Sequence, residues 1–265
     1  MSNWAASGAV KIERAKEHIE RLDSDITSFR LAHPYTSIVE GDDQGYWVFR
    51  AVIDVEPPPL FGGIAGDAIH NLRSSLDLLW KHAYTGGEWN RDRKDSFPFF
   101  ESNAELEARL ERETPGRHRS ALIGLRGANP YKNDASGLWS LHALDLAEKH
   151  HVLVPVCSAV WFRTEDPTAY FRQSHLHRIG HSLSPVALRR QLELPVFPVH
   201  NGTELFRMPV NQDGPQQDMN QTFLFEVAFG DEEPVQGEPI VATLRHFAQL
   251  VDALVDTFLS EGLVR

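Results

Sequence analysis

The sequence predicts an α+β fold, in which long helices pack with an antiparallel β-rich region in a single domain. Three observations carry that expectation. Apolar residues recur at helical spacing near both ends and in internal stretches, strand-forming runs crowd into one later stretch, and the two kinds of element are segregated rather than alternating. The expected layout is a helix-rich part over 1–151, a β-rich part over 152–230 and a closing helix over 239–260.

The first helix is expected from about Gly8 to Ala32, because Ala15, Ile19, Leu22, Ile26 and Phe29 fall at alternating steps of four and three. Pro34 ends it. Thr36–Val39 and Tyr46–Val55 then read as a hairpin turning through Gly41-Asp42-Asp43-Gln44-Gly45, with Trp47, Phe49, Val52 and Ile53 favouring strands. Pro57-Pro58-Pro59 breaks the pairing. Gly62, Gly63 and Gly66 read as a flexible lead-in loop to a second helix, about Ile64 to Tyr84, because their spacing is not the dinucleotide fingerprint. Ser102-Asn103-Ala104-Glu105 is a capping-box pattern opening a helix to about Glu113.

A short helix over His118–Leu125, a turn at Asn129-Pro130-Tyr131 and a long helix over Ser136–His151 follow. Val152–Phe162, Leu194–Val199, Glu204–Val210 and Thr222–Phe229 are β-rich, and Asn201-Gly202-Thr203 reads as a hairpin turn. The closing helix carries the stripe Leu244, Phe247, Val251, Leu254, Val255 and Phe258, and the terminal helices are expected to pack together.

With Lys+Arg 26 against Asp+Glu 37, the net charge is −11, which gives no general attraction to nucleic acid or anionic membrane. No broad nucleic-acid surface is expected; Arg117-His118-Arg119, the nearest basic run, reads as solvated surface. The single cysteine, Cys157, excludes an internal disulfide or a thiolate-rich metal site and suits a reducing compartment. Met1–Arg14 has no apolar signal-peptide core, and no run is long enough to span a bilayer. A cytoplasmic protein without a membrane partner is the expectation.

Two helical stretches each place a histidine, an acid and a base along one stripe. One holds His70, Arg73 and Asp77; the other holds His142, Asp145, Lys149 and, bordering it, His150. With His142 at zero on the helical wheel, Asp145 lies at about −60° and Lys149 at about −20°. That stripe runs between Leu138, Leu141 and Val152 on one side and Trp139, Leu146 and Leu153 on the other. Charges set inside an apolar face must be paired, so His142, Asp145 and Lys149 are expected to be buried and networked. His70, Arg73 and Asp77 lie at the boundary of a face made by Ile69, Leu72, Leu76, Leu79 and Ala83, with Trp80 at its edge. Arg73 and Asp77 can pair at i,i+4 on their own helix. If the two helices pack antiparallel or crossed, Arg73 can also meet Asp145 while Lys149 meets Asp77.

The run Gly66-Asp67-Ala68-Ile69-His70-Asn71-Leu72-Arg73-Ser74-Ser75-Leu76-Asp77 resembles a motif of a family of uncharacterised bacterial and phage proteins, which reads Gly-Glu-x-x-His-Asn-Leu-Arg-Ser-x-Leu-Asp. Leu141-His142-x-x-Asp145-x-x-x-Lys149-His150 is similar to that family's second motif, which has Asp where this chain has Glu148. The resemblance implies a place in the chain and no particular reaction. HEPN ribonucleases also combine arginine and histidine on one helix, but there the histidine follows the arginine, whereas His70 precedes Arg73.

Two functions of different class follow. One is a non-catalytic binding or assembly protein whose stripes fix helix register and whose polar centre recognises a small anionic ligand or nucleotide. The other is a metal-independent hydrolase or nuclease acting on a phosphate-bearing substrate such as RNA or a nucleotide. There His70 or His142 would be general base or acid, Arg73 and Lys149 would clamp the anion, and Asp77 and Asp145 would orient the histidines. His70, Asp77, His142 and Asp145 are metal-ligand types, but Arg73 and Lys149 repel a cation; no metal or other cofactor is expected. His175-Leu176-His177 with His181 and His200 reads as a polar surface, and Ser158, Ser174, Ser182 and Ser184 lack a nucleophile elbow, so the sequence does not indicate a serine hydrolase.

Overall fold

The protein was described from a computed structural model, which describes residues 4–32, 34–85, 96–112, 119–132, 137–163, 197–210, 221–231 and 233–262. Its elements are α1 (Trp4–Leu31), β1 (Tyr35–Gly41), β2 (Tyr46–Ile53), α2 (Leu60–Thr85), α3 (Asn103–Arg112), α4 (Arg119–Ala128), α5 (Leu138–Glu148), β3 (Pro155–Arg163), β4 (Glu204–Pro209), β5 (Gln221–Phe229) and α6 (Ile240–Ser260). Among the described residues the pairings of β1 with β2, β2 with β4 and β3 with β5 are antiparallel, and the fold is α+β. Two compact units emerge: Met1–Ile26, Pro58–Val154 and Asp231–Arg265 form a helical unit, and Thr27–Pro57 with Pro155–Gly230 form a β-rich unit. Among the described residues no helix is long and apolar enough to cross a membrane.

In the helical unit, α2 packs against α5 and α6, and α4 also packs against α6. The expected stripes are the ones buried: Ile12, Ala15, Ile19, Leu22 and Ile26 on α1; Ile69, Leu72, Leu76 and Leu79 on α2; Leu244, Phe247, Val251 and Phe258 on α6. The terminal helices meet through ion pairs, with Arg245 Nη2 at 2.8 Å from Glu20 and 2.9 Å from Asp23, and Lys16 Nζ at 3.1 Å from Asp252.

Some boundaries move for stated reasons. α2 starts at Leu60, so Gly62, Gly63 and Gly66 are helical and form no lead-in loop. The cause lies in the prolines: Pro58 and Pro59 carbonyls accept the amides of Phe61 and Gly62 at 3.0 Å each, starting the helix where the chain is already stiff. α5 ends at Glu148, earlier than the stripe suggested. The capping-box pattern does start α3, since the Glu105 amide donates to Ser102 Oγ at 3.3 Å and the Glu101 amide to Glu105 Oε2 at 3.1 Å.

In the β-rich unit, one sheet has the order β1-β2-β4 and another pairs β3 with β5. The expected hairpin is present, with Tyr35 opposite Ile53 and Gly41 opposite Trp47. Asp42 Oδ1 accepts the amides of Gln44 and Tyr46 at 2.9 and 2.8 Å, which closes its turn. Tyr35, Ala51, Cys157, Val199 and Leu205 form this unit's core, joined by Phe29, Ile53 and Phe225. Asn201-Gly202-Thr203 is a turn as expected, with Gly202 at φ 83°, but it leads into β4 after an irregular segment rather than joining two strands. From Leu194–Val199, only 197–199 fall among the described residues, and they are not a strand.

Helix α4 owes its close approach to α6 to a missing side chain. A Cβ at Gly124 would lie 2.6 Å from Phe258 Cε2 and 2.9 Å from its Cζ, and Phe258 is fully buried. Overpacking of about 1–3 kcal/mol outweighs the gain in helix propensity, about 1 kcal/mol. Gly124→Ala should therefore lower stability by about 1–2 kcal/mol, read as a lower urea midpoint. A raised midpoint would show that the Phe258 ring has room to shift.

Candidate functional site

The two polar stripes converge inside the helical unit, on the facing sides of α2 and α5. Asp145 is the buried pivot, its side chain 3% exposed. Its Oδ1 lies 3.0 Å from His70 Nδ1, and its Oδ2 accepts from Lys149 Nζ at 2.5 Å. A buried carboxylate needs such partners, because desolvating an unpaired charge costs several kcal/mol.

The other half of the centre is organised by Arg73, which is buried on α2. Its Nη1 pairs with Asp77 one turn on, its Nη2 donates to the Phe97 carbonyl at 3.2 Å, and its Nε donates to His142 Nδ1 at 3.3 Å. Asp77 Oδ1 in turn accepts the Phe97 amide at 2.8 Å. The Arg73–Asp77 pair thus satisfies both backbone groups of Phe97, as a neighbouring strand would. That segment is pinned from its other end, where the Phe100 amide donates to the Pro130 carbonyl at 2.9 Å and the Lys132 amide to the Phe100 carbonyl at 3.0 Å. Phe99 then stacks on the His142 ring, with centroids 4.3 Å apart and planes within 9°, and the Arg73 guanidinium sits 4.8 Å from the Phe99 centroid.

These contacts settle the protonation of His142. An Nδ1 that accepts from Arg73 carries no proton, so the ring is neutral with its proton on Nε2. Burial and then the adjacent Arg73 charge depress its pKa from the ordinary 6.5 to about 4.

Comparison with protein-family models, curated proteins and solved structures gives no match for this chain. The site therefore stands on its own geometry.

The structure brings His70, Arg73, Asp77, His142, Asp145 and Lys149 together, with the expected Arg73–Asp77 pair along α2 but without the expected pairs across the helices. Arg73 meets Asp77 and His142, not Asp145; Lys149 meets Asp145, not Asp77. His142 is only half-buried and Lys149 is exposed, because α5 stops at Glu148 and leaves Lys149 on the following turn. Arg73, placed by its stripe at the boundary, is instead covered by the 97–100 segment. His150 is exposed beside the centre. Among the described residues no group of three or more His, Cys, Asp or Glu side chains converges as a metal site. His175, His177, His181, Ser174, Ser182, Ser184, Arg117 and His118 lie outside the described residues.

Sequence reading missed Phe97 and Phe99, which carry no charge pattern, and Ser74, which sits 3.4 Å from His70 Nε2. It also missed the reason for Gly66. A Cβ there would lie 2.6 Å from Glu148 Cγ, so α2 and α5 touch at this point and a larger residue at 66 would have to displace the Glu148 side chain.

Proposed function

We propose that the α2–α5 centre binds a small anionic ligand at its outer edge. One observation supports the reading above others: His70 and Lys149, with side chains 50% and 49% exposed, share the single buried carboxylate of Asp145. An ammonium has three donors, and Asp145 accepts one of them. The remaining donor capacity faces water, where a phosphate or carboxylate group would meet it.

The inner half supports a different role. Arg73 has its guanidinium engaged by Asp77, Phe97 and His142, so it is poorly placed to clamp a phosphate. This weakens the nuclease reading, which needs that arginine, and favours a register-fixing task for Arg73, Asp77 and His142.

For the half-exposed Lys149 ammonium, inorganic phosphate should bind with a Kd on the order of millimolar. Titration of the full chain with inorganic phosphate, followed by amide chemical shifts, should move resonances around His70 and Lys149. Lys149→Ala should weaken that binding about tenfold, as loss of one charge-assisted contact implies. Shifts spread evenly over the surface, or unchanged binding in Lys149→Ala, would remove the reading.

A further inference from the structure

Ser74, His70 and Asp145 stand in one hydrogen-bonded line. Asp145, salt-bridged to Lys149, acts as acceptor, so His70 Nδ1, at 3.0 Å, must be the donor. A neutral His70 so held has its lone pair on Nε2, and Ser74 Oγ lies 3.4 Å from that atom. With the ring neutral, the Ser74 hydroxyl is the donor to Nε2, and its oxygen is left with both lone pairs available.

The neighbouring serine shows that this is not the ordinary behaviour of a hydroxyl in a helix. Ser75 is buried and donates back to the Leu72 carbonyl at 2.7 Å, the usual local bond. Ser74 is partly exposed and turns to His70 instead. The carboxylate that orients the ring comes from another helix 75 residues away in sequence, so the ring's aim is set by tertiary structure. This is the order of groups, hydroxyl to imidazole to buried carboxylate, that activates a serine.

We infer that Ser74 is the nucleophile of a Ser74–His70–Asp145 relay that hydrolyses a carboxylic ester bearing a negative charge. The charge preference rests on the anionic-ligand reading above; the relay itself does not. Ser74 Oγ forms a bond to the ester carbonyl carbon while its proton passes to His70 Nε2. The resulting oxyanion collapses, the C–O bond to the alcohol breaks, and the departing alkoxide takes the proton from His70. A water then attacks the acyl-Ser74 carbonyl, giving its proton to His70; the carboxylic acid leaves and Ser74 Oγ recovers the proton. No oxidant or further reactant is consumed. Asp145 holds the ring and stabilises its charged form. Lys149, on the other oxygen of Asp145, brings positive charge to the same edge.

The test is reaction of the purified full chain with a fluorophosphonate probe, in which the Ser74 oxygen–phosphorus bond forms, fluoride leaves and His70 takes the proton. Peptide mass spectrometry should find the adduct on Ser74. Ser74→Ala should abolish it, and His70→Gln should slow it about 100-fold or more, the usual yield of a positioned base. His70 is half-exposed, so this change should leave the far-ultraviolet circular dichroism and thermal midpoint near wild type. An aryl ester with a free carboxylate should be cleaved faster than its neutral counterpart, and Lys149→Ala should erase that difference. An unlabelled Ser74, or labelling that survives His70→Gln at full rate, overturns the relay even when phosphate binds. Labelling of Ser74 without phosphate binding or charge preference overturns the anionic reading and leaves the relay standing.

Discussion

Arg73→Met should lower the unfolding free energy by about 2–4 kcal/mol, read from urea unfolding at neutral pH. Methionine fills much of the volume of the arginine stem, so the loss reports the guanidinium and not a cavity. Removing it takes the donors from the Phe97 carbonyl, Asp77 and His142 at once and ends the contact over Phe99. Breaking one side of a buried pair costs about 3–5 kcal/mol when the remaining charge stays dry. Asp77 keeps the Phe97 amide as partner and its side chain is 40% exposed, so part of its hydration returns and the lower range applies. Lysine should not rescue the site, because a single ammonium cannot reach three acceptors set in different directions. Adding Asp77→Leu to Arg73→Met should recover part of the loss, since the unpaired carboxylate is then gone. A loss under about 1 kcal/mol, the level of an exposed ion pair, would mean that the 97–100 segment is held by other contacts.

What the sequence made legible, and what it hid, divides along a physical line. Periodicity is a property of one element, and it correctly marked the buried faces of α1, α2 and α6 and the β1–β2 hairpin. Capping chemistry is equally local, and Ser102 with Glu105 behave as their spacing implies. The same local rule showed that His142, Asp145 and Lys149 share a stripe. It could not choose partners across helices, which depend on the offset and rotation of α2 against α5. The contacts made across the helices are His70–Asp145 and Arg73–His142, whereas Arg73–Asp77 and Lys149–Asp145 are local i,i+4 pairs.

The segment 97–100 was hidden for a different reason. Phe97 takes part through its backbone amide and carbonyl, which every residue but proline possesses. No sequence pattern announces that use. Ser74 was hidden by its position, since a serine inside a helix ordinarily bonds to the preceding turn, as Ser75 does. Only the Asp145–His70 contact, made across elements, gives its hydroxyl another partner. Gly66 reads locally as a helix-weakening residue, whereas its value lies in the space it leaves for Glu148.

His142 links this architecture to acidity. In the folded protein its pKa is depressed to about 4, while in the unfolded chain it returns to the ordinary 6.5. Between those two values the unfolded chain takes up a proton that the folded protein refuses, so acid favours unfolding. The stability contribution is complete above pH 6.5, is lost progressively as pH falls towards 4, and changes no further below that. A full shift of this size corresponds to about 3–4 kcal/mol at about 1.4 kcal/mol per unit; for a half-buried ring, solvent screening reduces the expected loss to about 1–3 kcal/mol. His142→Gln retains an oxygen acceptor for Arg73 but has no proton to gain. The stability difference between wild type and His142→Gln should therefore narrow, or reverse in favour of glutamine, as pH falls from 7 to 4. Carboxylates elsewhere titrate alike in both proteins and cancel from that difference. A gap that stays constant across this range, or a His142 ring titrating near 6.5 by NMR, would mean that Arg73 and Phe99 do not enclose the ring in solution. The contact matters for Arg73 as well. Protonating His142 would set a second cation against the guanidinium and remove its Nδ1 acceptor, so the acid-induced loss and the loss in Arg73→Met should be less than additive.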